Sequence, residues 1–402
     1  MTENLAQTGR FAVLADRLFD GVSEQLHGRS TVIVEDGRIQ AVDRGEVAPV
    51  DVPVVDLGDV TLLPGLIDTH VHLVFDASED PVAALAARSD AEAIESMKEM
   101  AGVAARGGVT TLRDLGDRDF LSLGLRDVAG LPTVVAAGPP ITTPGGHCHY
   151  LGCEAEPGVA GVRRAVRVHA ERGVDVIKVM ASGGHLTPGT DPFRGQFSLD
   201  ELRAAADEAH ALGLPVIAHV HSPDSVARAA EAGVDGLEHV TFWTETGVDA
   251  PQETIDLVGA RRLVVGASAG FIVDEQRQLD EDFALRMPGI VDVMQRLHQA
   301  GARLVAGTDA GINPTKPHDI IRNALEQMVL LLGVSPFEAL LTATSQAAEI
   351  CGLGQRKGRL ATGFDADLVA VAGNPLADIS AINQIRSVHV RGVDLAVQGL
   401  KR

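Results

Sequence analysis

Two histidines, one residue apart, follow an apolar run in the segment TLLPGLIDTHVHL at residues 61–73. Because alternate side chains of a strand share a face, His70 and His72 would point the same way from the end of one strand. Two imidazoles in that arrangement can hold one divalent metal ion. The spacing alone fits two surface histidines beside a turn equally well. The apolar strand that leads into the pair favours metal binding, because a buried strand has little reason to end in two polar rings.

Further ionisable side chains occur where later apolar runs end. DVIKVMASGG carries Lys178, PVIAHVHS carries His219 and His221, GLEHV carries His239, and LVAGTDAG carries Asp309. A lone histidine can be a satisfied core residue, and an aspartate in this position can cap a helix. Lysine is different, because it is almost never fully buried unless it is paired. The recurrence of such groups at the ends of apolar runs predicts one shared site.

Eight apolar runs alternate with amphipathic segments through the middle of the chain. After the run that ends at His72, strands are predicted at Val109–Leu115, Thr133–Ala137, Val176–Ala181, Pro215–Val220, Gly236–Val240, Leu263–Ala267 and Arg303–Ala306. Strands that alternate with helices form parallel sheets, and eight such units predict an α/β fold of the (β/α)₈ TIM barrel type. Catalytic groups of such barrels lie at the C-terminal strand ends. A doubly wound open sheet is the alternative, but its glycine-rich fingerprint is absent from the sequence.

The two ends of the chain differ from the middle. Residues 1–61 and 358–402 contain short apolar or alternating runs between Gly and Asp turns, such as STVIVEDGRIQAV and GFDADLVAVAG. Neither end has enough strands for a stable sheet of its own, and chain ends often lie close together. We therefore predict that both ends combine into one small β-sandwich domain beside a barrel at residues 62–357.

Composition limits the partners of this 402-residue chain. A formal net charge of −21 argues against nucleic acid or an anionic membrane surface as a partner. No apolar run reaches the roughly 18 residues of a membrane-spanning helix, and the start of the sequence lacks the pattern of a secretory signal. Three cysteines, Cys148, Cys153 and Cys351, fit a reducing compartment. We expect a cytoplasmic homo-oligomer that acts on a small molecule.

The motifs together resemble those of the amidohydrolase superfamily of metal-dependent hydrolases. The resemblance rests on LLPGLIDTHVHL, the strand that carries Lys178, AHVHS, EHV, AGTDAG and the tail GRLATGFDADLVAV. Within the superfamily, the chain is most similar to the imidazolonepropionase-like and prolidase-like branch, which is related to Xaa-Pro dipeptidases. The similarity extends over nearly the whole length, and GFDADLVAV is typical of the closing β-domain.

The resemblance implies a centre of two divalent metal ions, with zinc as the expected element. The implied ligands are His70, His72, Lys178, His219, His239 and Asp309. His70 and His72 match the ligands of one ion, and His219 and His239 match those of the other. The lysine that matches Lys178 is carboxylated by CO₂ and bridges both ions. This is physically reasonable, because an unmodified lysine would repel two dications whereas a carboxylated one is an anion that can bridge them.

The implied reaction is hydrolysis of a carbon–nitrogen bond by a metal-bridging hydroxide. Asp309 would take the proton of the water and pass it to the leaving amine. Amides, dipeptides, N-acyl amino acids, carbamates and ureas are all candidate substrates, and the prolidase-like similarity favours dipeptides or N-acyl amino acids. Hydrolysis of a phosphotriester or lactone by the same metal pair is one alternative, and a non-catalytic scaffold of the same fold is another.

Three further histidines are candidates for substrate contacts. His221 departs from relatives of the prolidase-like branch, which often have Tyr at this position. It shares a face with His219, so it could bind the substrate carbonyl oxygen or replace His219 as a ligand. GGH in the loop TTPGGHCHYLGC suggests that His147 contacts substrate, and His185 in ASGGHLTPG could line the same pocket.

Two positions stay open at the level of sequence. Arg113 and Asp114, at the end of the second predicted strand, could form a structural ion pair or bind a substrate carboxylate. His318, in the segment TKPHD, could lie on the surface or near the pocket.

Overall fold

The structure is a computed structural model that describes most of the chain. The described residues are 9–45, 52–126, 128–275 and 277–395. Parts of the predicted β-domain, at residues 1–8, 46–51 and 396–402, therefore lie outside the described residues.

The N-terminal part consists of six short strands. They are β1 (Arg10–Ala15), β2 (Arg17–Leu18), β3 (Ser30–Glu35), β4 (Arg38–Arg44), β5 (Val54–Asp56) and β6 (Val60–Pro64). The β3–β4 hairpin turns at Asp36 and Gly37, both of which have positive φ, as the two-residue turn of such a hairpin requires. The strands β4, β3, β1 and β5 form one sheet in that order.

The middle of the chain contains the parallel strands that the sequence predicts, each within a few residues of the predicted bounds, and a short antiparallel hairpin that it does not predict. The strands are β7 (Leu66–Val71), β8 (Val109–Asp114), β9 (Thr133–Ala136), β10 (Ile177–Met180), β11 (Val216–Val220), β12 (Gly236–His239), β13 (Trp243–Thr244), β14 (Gly247–Val248), β15 (Val264–Gly266) and β16 (Arg303–Val305). One parallel sheet has the order β7-β8-β9 and the other β10-β11-β12-β15-β16, whereas β13 and β14 form a separate small hairpin.

Helices follow most of the parallel strands. They are α1 (Pro81–Ala86), α2 (Asp90–Arg106), α3 (Val159–Arg172), α4 (Leu199–Ala211), α5 (Pro223–Ala232), α6 (Gln252–Ala260), α7 (Glu281–Ala300), α8 (Ile321–Gln327), α9 (Pro336–Thr342) and α10 (Ser345–Ile350). The sequence sets several helix starts locally, because Ser89, Ser198 and Ser335 each form a capping box with the glutamate three residues later. None of the helices within the described ranges is long and apolar enough to cross a membrane.

Backbone contacts link the two parallel sheets at both of their outer edges. Isolated parallel bridges join Val71 to Ala310 and Ile141 to Val179. The Asp309 N–H donates to the His70 carbonyl at 2.7 Å, and the Ile141 N–H donates to the Lys178 carbonyl at 2.8 Å. The strand ends that carry the predicted site residues therefore meet on one side of the fold.

The two chain ends share a sheet. The C-terminal strands are β17 (Leu368–Ala372), β18 (Ile385–Val390) and β19 (Val393–Leu395). The sheet order is β19-β18-β17-β6-β2, so β17 pairs directly with β6 from the N-terminal part. Side chains from both terminal sheets, including Phe11, Val34, Leu62 and Leu368, are buried in one apolar cluster.

A buried cluster of charged side chains lies in the segment between α10 and β17. The Lys357 ammonium, which is 1% exposed, lies 3.0 Å from Asp365 and also bonds Asp367. Burial alone would raise the pKa of Asp365, but Lys357 and Arg356 hold that pKa below its ordinary value. The cluster therefore contains paired charges that are shielded from water.

We expect Lys357→Met to lower the free energy of unfolding by about 3–5 kcal/mol, because it leaves the buried carboxylate of Asp367 without its cation and that of Asp365 with Arg356 alone. Lys98→Met is the matched control, since Lys98 only pairs with exposed Glu95 and should contribute about 0–1 kcal/mol. Urea unfolding of both variants measures the difference. Because the folded-state pKa of Asp365 is depressed, its contribution is present above its unfolded pKa and is lost at lower pH, so the gap should shrink below about pH 4. Equal small losses in both variants would contradict the interpretation.

Candidate metal centre

The C-terminal ends of the parallel strands open into a cavity of about 380 Å³, a size typical of small-molecule sites. All but one of the predicted site residues line this cavity: His72, His147, Lys178, His185, His219, His221, His239 and Asp309. The exception is His70, whose side chain is fully buried behind His72. The structure thus brings together residues that are spread over most of the sequence.

One cluster of ligand atoms combines His70 and His72, at the end of β7, with Asp309, in the turn after β16. The Nε2 atoms of His70 and His72 are 3.3 Å apart and lie 3.5 and 3.3 Å from Asp309 Oδ1. The Nδ1 atoms have other partners, Glu238 Oε2 at 3.0 Å for His70 and the Gly116 carbonyl at 2.9 Å for His72. Those partners fix the ring orientations and leave both Nε2 atoms facing one carboxylate oxygen.

A second cluster contains three buried histidines whose ligand nitrogens lie within 4.8 Å of one another: His219, His221 and His239. One nitrogen of each ring already has a partner. His239 Nδ1 is 2.9 Å from Ser268 Oγ, His221 Nδ1 is 2.9 Å from Thr241 Oγ1, and His219 Nε2 is 3.2 Å from a backbone carbonyl oxygen. The other nitrogen of each ring is left for a ligand, so His221 is close enough to act beside His219 or in its place.

Lys178 is the one buried cation at the floor of the cavity that lacks a partner in the described part of the chain. Its side chain is 1% exposed, and Nζ makes no hydrogen bond there. Burial lowers the pKa of the amine to about 8, although the nearby Glu238 and Asp309 oppose this shift. A buried ammonium without a partner is energetically costly, and this cost is why burial lowers the pKa of the amine.

Two of the candidate ligands have strained backbones. His239 has φ of 72° and Asp309 has φ of 60°, which is the left-handed region that residues other than glycine seldom adopt. Such strain is concentrated at functional sites because surrounding contacts must maintain it. Burial alone would raise the pKa of Asp309, but His70 and His72 hold that pKa below its ordinary range, so the side chain is a carboxylate.

Glu238 is a site residue that sequence reasoning missed. Its carboxylate joins His70 Nδ1 at 3.0 Å and Arg113 Nη2 at 3.1 Å, and Arg113 Nε donates to the Thr69 carbonyl at 2.6 Å. Burial alone would raise the pKa of Glu238, but His70 and Arg113 lower it. Arg113 is therefore a structural partner of Glu238 and not of Asp114. The sequence feature that could have identified Glu238 is the presence of a glutamate within the apolar run GLEHV, because a buried carboxylate needs a partner.

Two of the three histidines predicted to contact substrate pack against a tryptophan. The ring of His221 stacks on Trp243 with centroids 4.5 Å apart, and the ring of His185 packs edge-on against the same tryptophan at 4.9 Å. His147 lies deeper, with its ring 4.9 Å from that of His219. Trp243 belongs to the small hairpin β13–β14, which no sequence pattern assigned to the site.

His318 is a buried neighbour of the site and not a surface residue. Its Nε2 lies 3.2 Å from the His72 carbonyl oxygen, and it does not line the cavity. The outer wall comes instead from the segment before α7 and its first turn, including Asp280, Asp282 and Phe283. The sequence carried no motif that would place this segment over the centre.

Similarity to known proteins extends over most of this chain. Residues 61–393 match the Amidohydrolase family. Ochratoxinase of Aspergillus niger is 30% identical over 365 residues, which cover 81% of this chain and 73% of that protein. Imidazolonepropionase of Chromobacterium violaceum is 28% identical over 382 residues, with 84% of each chain covered.

Solved structures give the same result. The crystal structure of a Xaa-Pro dipeptidase with bound methionine superposes with a TM-score of 0.84 at 28% identity, and the match covers 96% of this chain and 99% of that one. The resemblance inferred from the motifs is thereby confirmed. The chain belongs to the amidohydrolase family and is a hydrolase that acts on carbon–nitrogen bonds.

Proposed function

We propose that this chain is a binuclear metal-dependent amidohydrolase that cleaves the C–N bond of an amide, dipeptide, N-acyl amino acid, carbamate or urea. The observation that carries the proposal is that two buried ligand clusters and the unpartnered amine of Lys178 meet in one cavity. A phosphotriester or lactone hydrolase could use the same ligands, but family membership favours a carbon–nitrogen bond. A non-catalytic scaffold would have no reason to keep both clusters.

The proposed ligands are His70, His72, Lys178, His219, His239 and Asp309. Imidazole nitrogens and a carboxylate are suitable donors for zinc, which we propose as the metal. A carboxylate derived from CO₂ on Lys178 would replace a buried cation by an anion between the two clusters, which fits the lack of any described partner for its amine. When bound, the two ions supply Lewis acidity, which makes a water molecule more acidic and polarises the substrate carbonyl.

The protein side chains then have distinct tasks. Asp309, held as a carboxylate, accepts the proton of the attacking water and delivers it to the leaving nitrogen. His221 donates from Nε2 to the substrate carbonyl oxygen, and the Thr241 hydroxyl supports that tautomer by donating to Nδ1. His147 and His185 contact the substrate from the cavity wall.

We also propose the domain organisation that the sequence predicts. Residues 62–357 form a closed (β/α)₈ barrel, which the bridges Val71–Ala310 and Ile141–Val179 support. Residues 1–61 and 358–402 form one β-sandwich, which the pairing of β6 with β17 and the shared apolar cluster support. The homo-oligomeric assembly and the cytoplasmic location stay predictions.

We expect the purified protein to contain two divalent metal ions per chain and Lys178→Met to lose at least one of them. Elemental analysis after growth with zinc and bicarbonate measures the metal content. Activity of the variant should fall by more than about 100-fold, and short carboxylic acids should restore part of it by supplying the missing anion. Lys98→Met, which changes an exposed lysine on α2 in the same way, should retain both ions. Two retained ions and full activity in Lys178→Met would exclude the bridging role.

Asp309→Asn should lower kcat and kcat/KM together by about 10²–10⁴, because the amide cannot accept a proton as the carboxylate does. Steady-state kinetics of the metal-loaded variant, on any amide, carbamate or urea that the wild type hydrolyses, provides the measurement. Asp292→Asn is the control, because it makes the same change on the exposed face of α7. If the fully metallated Asp309 variant keeps the wild-type kcat, Asp309 is a ligand without a proton-transfer role.

Glu238→Gln should weaken metal binding by about 10- to 100-fold, because the amide keeps the size of the side chain but loses the charge that orients His70 and pairs with Arg113. Competition with a chelator measures the metal affinity directly. Glu231→Gln on the surface of α5 is the matched control. Unchanged affinity in Glu238→Gln would mean that the position of His70 does not depend on this carboxylate.

A further inference from the structure

The outer half of the cavity has an unusually aromatic wall. Only 3% of the residues in the chain are aromatic, yet Phe75, Trp243, Phe271 and Phe283 all line this one cavity. Leucine and isoleucine side chains complete the apolar part of the wall. Burial of an apolar ligand surface against such a wall is favourable, so the cavity is suited to a substrate with a hydrophobic body.

The two lysines that line the cavity in the described part of the chain have roles other than binding a substrate carboxylate. Among the described lining residues, the lysines are Lys178 and Lys316. The Lys316 ammonium donates to the carbonyls of Ser268 at 3.0 Å, Gly270 at 3.1 Å and Thr308 at 2.6 Å, which uses all three of its N–H donors. Lys178 lies at the floor and is the proposed bridge. Neither lysine can receive a substrate carboxylate without giving up its present role.

The guanidinium that packs against the aromatic wall is also occupied. Arg286 lies over the Trp243 ring at 5.9 Å and is only 7% exposed. Its Nε donates to Asp282 at 2.7 Å, and its Nη1 donates to the carbonyls of Thr244 and Gly247 at 2.6 Å each. Arg286 therefore holds the β13–β14 hairpin against α7.

The mouth of the cavity carries negative charge. Asp280 and Asp282 line it, and Asp280 caps α7 by accepting from the N–H groups of Asp282 and Phe283. A substrate carboxylate held at this mouth, away from the proposed metal ions, would be repelled by Asp280 and Asp282. It would also lose hydration without a free lysine of the described lining to pair with.

We infer that the substrate has apolar groups on both sides of its scissile bond and no carboxylate on the amine side. It is thus an uncharged N-aryl or N-alkyl amide, carbamate or urea, and not the dipeptide or N-acyl amino acid that the prolidase-like similarity favoured. This inference rests on the proposed function and narrows its substrate class. The carrying observation is an aromatic cavity in which backbone carbonyls saturate Lys316, while Lys178, the other described lysine of the lining, is the proposed bridge between the metal ions.

The test uses two ligands that differ only in the carboxylate, N-benzoyl-L-phenylalanine and N-(2-phenylethyl)benzamide. Calorimetry with zinc-loaded Asp309→Asn should show binding of the uncharged ligand that is tighter on the order of tenfold or more, and wild-type kcat/KM should show the same preference. Equal or tighter binding of the carboxylate ligand overturns the inference, and so does failure to bind the uncharged one. If no amide, carbamate or urea is hydrolysed, the proposed function fails, whereas the binding preference still decides the inference.

A variant with an added positive charge at the mouth tests why the cavity prefers the uncharged ligand. Gln278 lines the mouth, so Gln278→Lys should place a cation there and tighten binding of N-benzoyl-L-phenylalanine by about fivefold, without the same gain for the uncharged ligand. Gln278→Met, which has a similar length and no charge, should give no such gain. Asp280→Asn keeps a helix-capping oxygen while it removes one negative charge, and should give a smaller gain in the same direction. An unchanged affinity in Gln278→Lys would mean that the lack of a cation does not set the selectivity.

Discussion

The buried carboxylate of Glu238 is the interaction on which the geometry of the centre depends. From β12 it reaches His70 at the end of β7 and Arg113 on β8, so one side chain joins three strands. Charge-assisted hydrogen bonds of this kind are strong and directional, and removal of Arg113 would leave the carboxylate buried without its cation. The Nε2 atom of His70 can face Asp309 only because Nδ1 is held on the opposite side of the ring.

Hydrogen bonds to β7 hold the strained turn that carries Asp309 in place. Asp68 accepts from the Thr308 N–H at 3.0 Å and from its hydroxyl at 2.6 Å, which ties the turn after β16 to β7. A Cβ at Gly307 would come within 2.8 Å of the His70 Cβ, and Gly311 has φ of 105°. The glycines of AGTDAG are thus required by close approach and by backbone conformation. They allow the carboxylate to lie against the two histidines.

The inner and outer parts of the cavity are built from different kinds of structural element. The inner groups lie at the ends of parallel strands, where neighbouring strands fix their positions through backbone hydrogen bonds. The outer wall comes from the β13–β14 hairpin and the start of α7, which can vary without disturbing the strands. Relatives named for ochratoxin, imidazolonepropionate and Xaa-Pro dipeptides share the fold with this chain. In barrels of this kind, strand ends supply the catalytic groups, and variable loops adapt one fold to different reactions.

The sequence by itself determined the features that depend on local periodicity. Alternation along a strand placed His70 beside His72 and His219 beside His221, and the serine and glutamate spacings set the starts of three helices. Only the tertiary structure decided which distant groups pair. Glu238 is 168 residues from His70 and 125 from Arg113, and Trp243 reaches His221 through a hairpin that follows β12. Such contacts depend on the register between strands that are far apart in sequence, and no local pattern encodes that register.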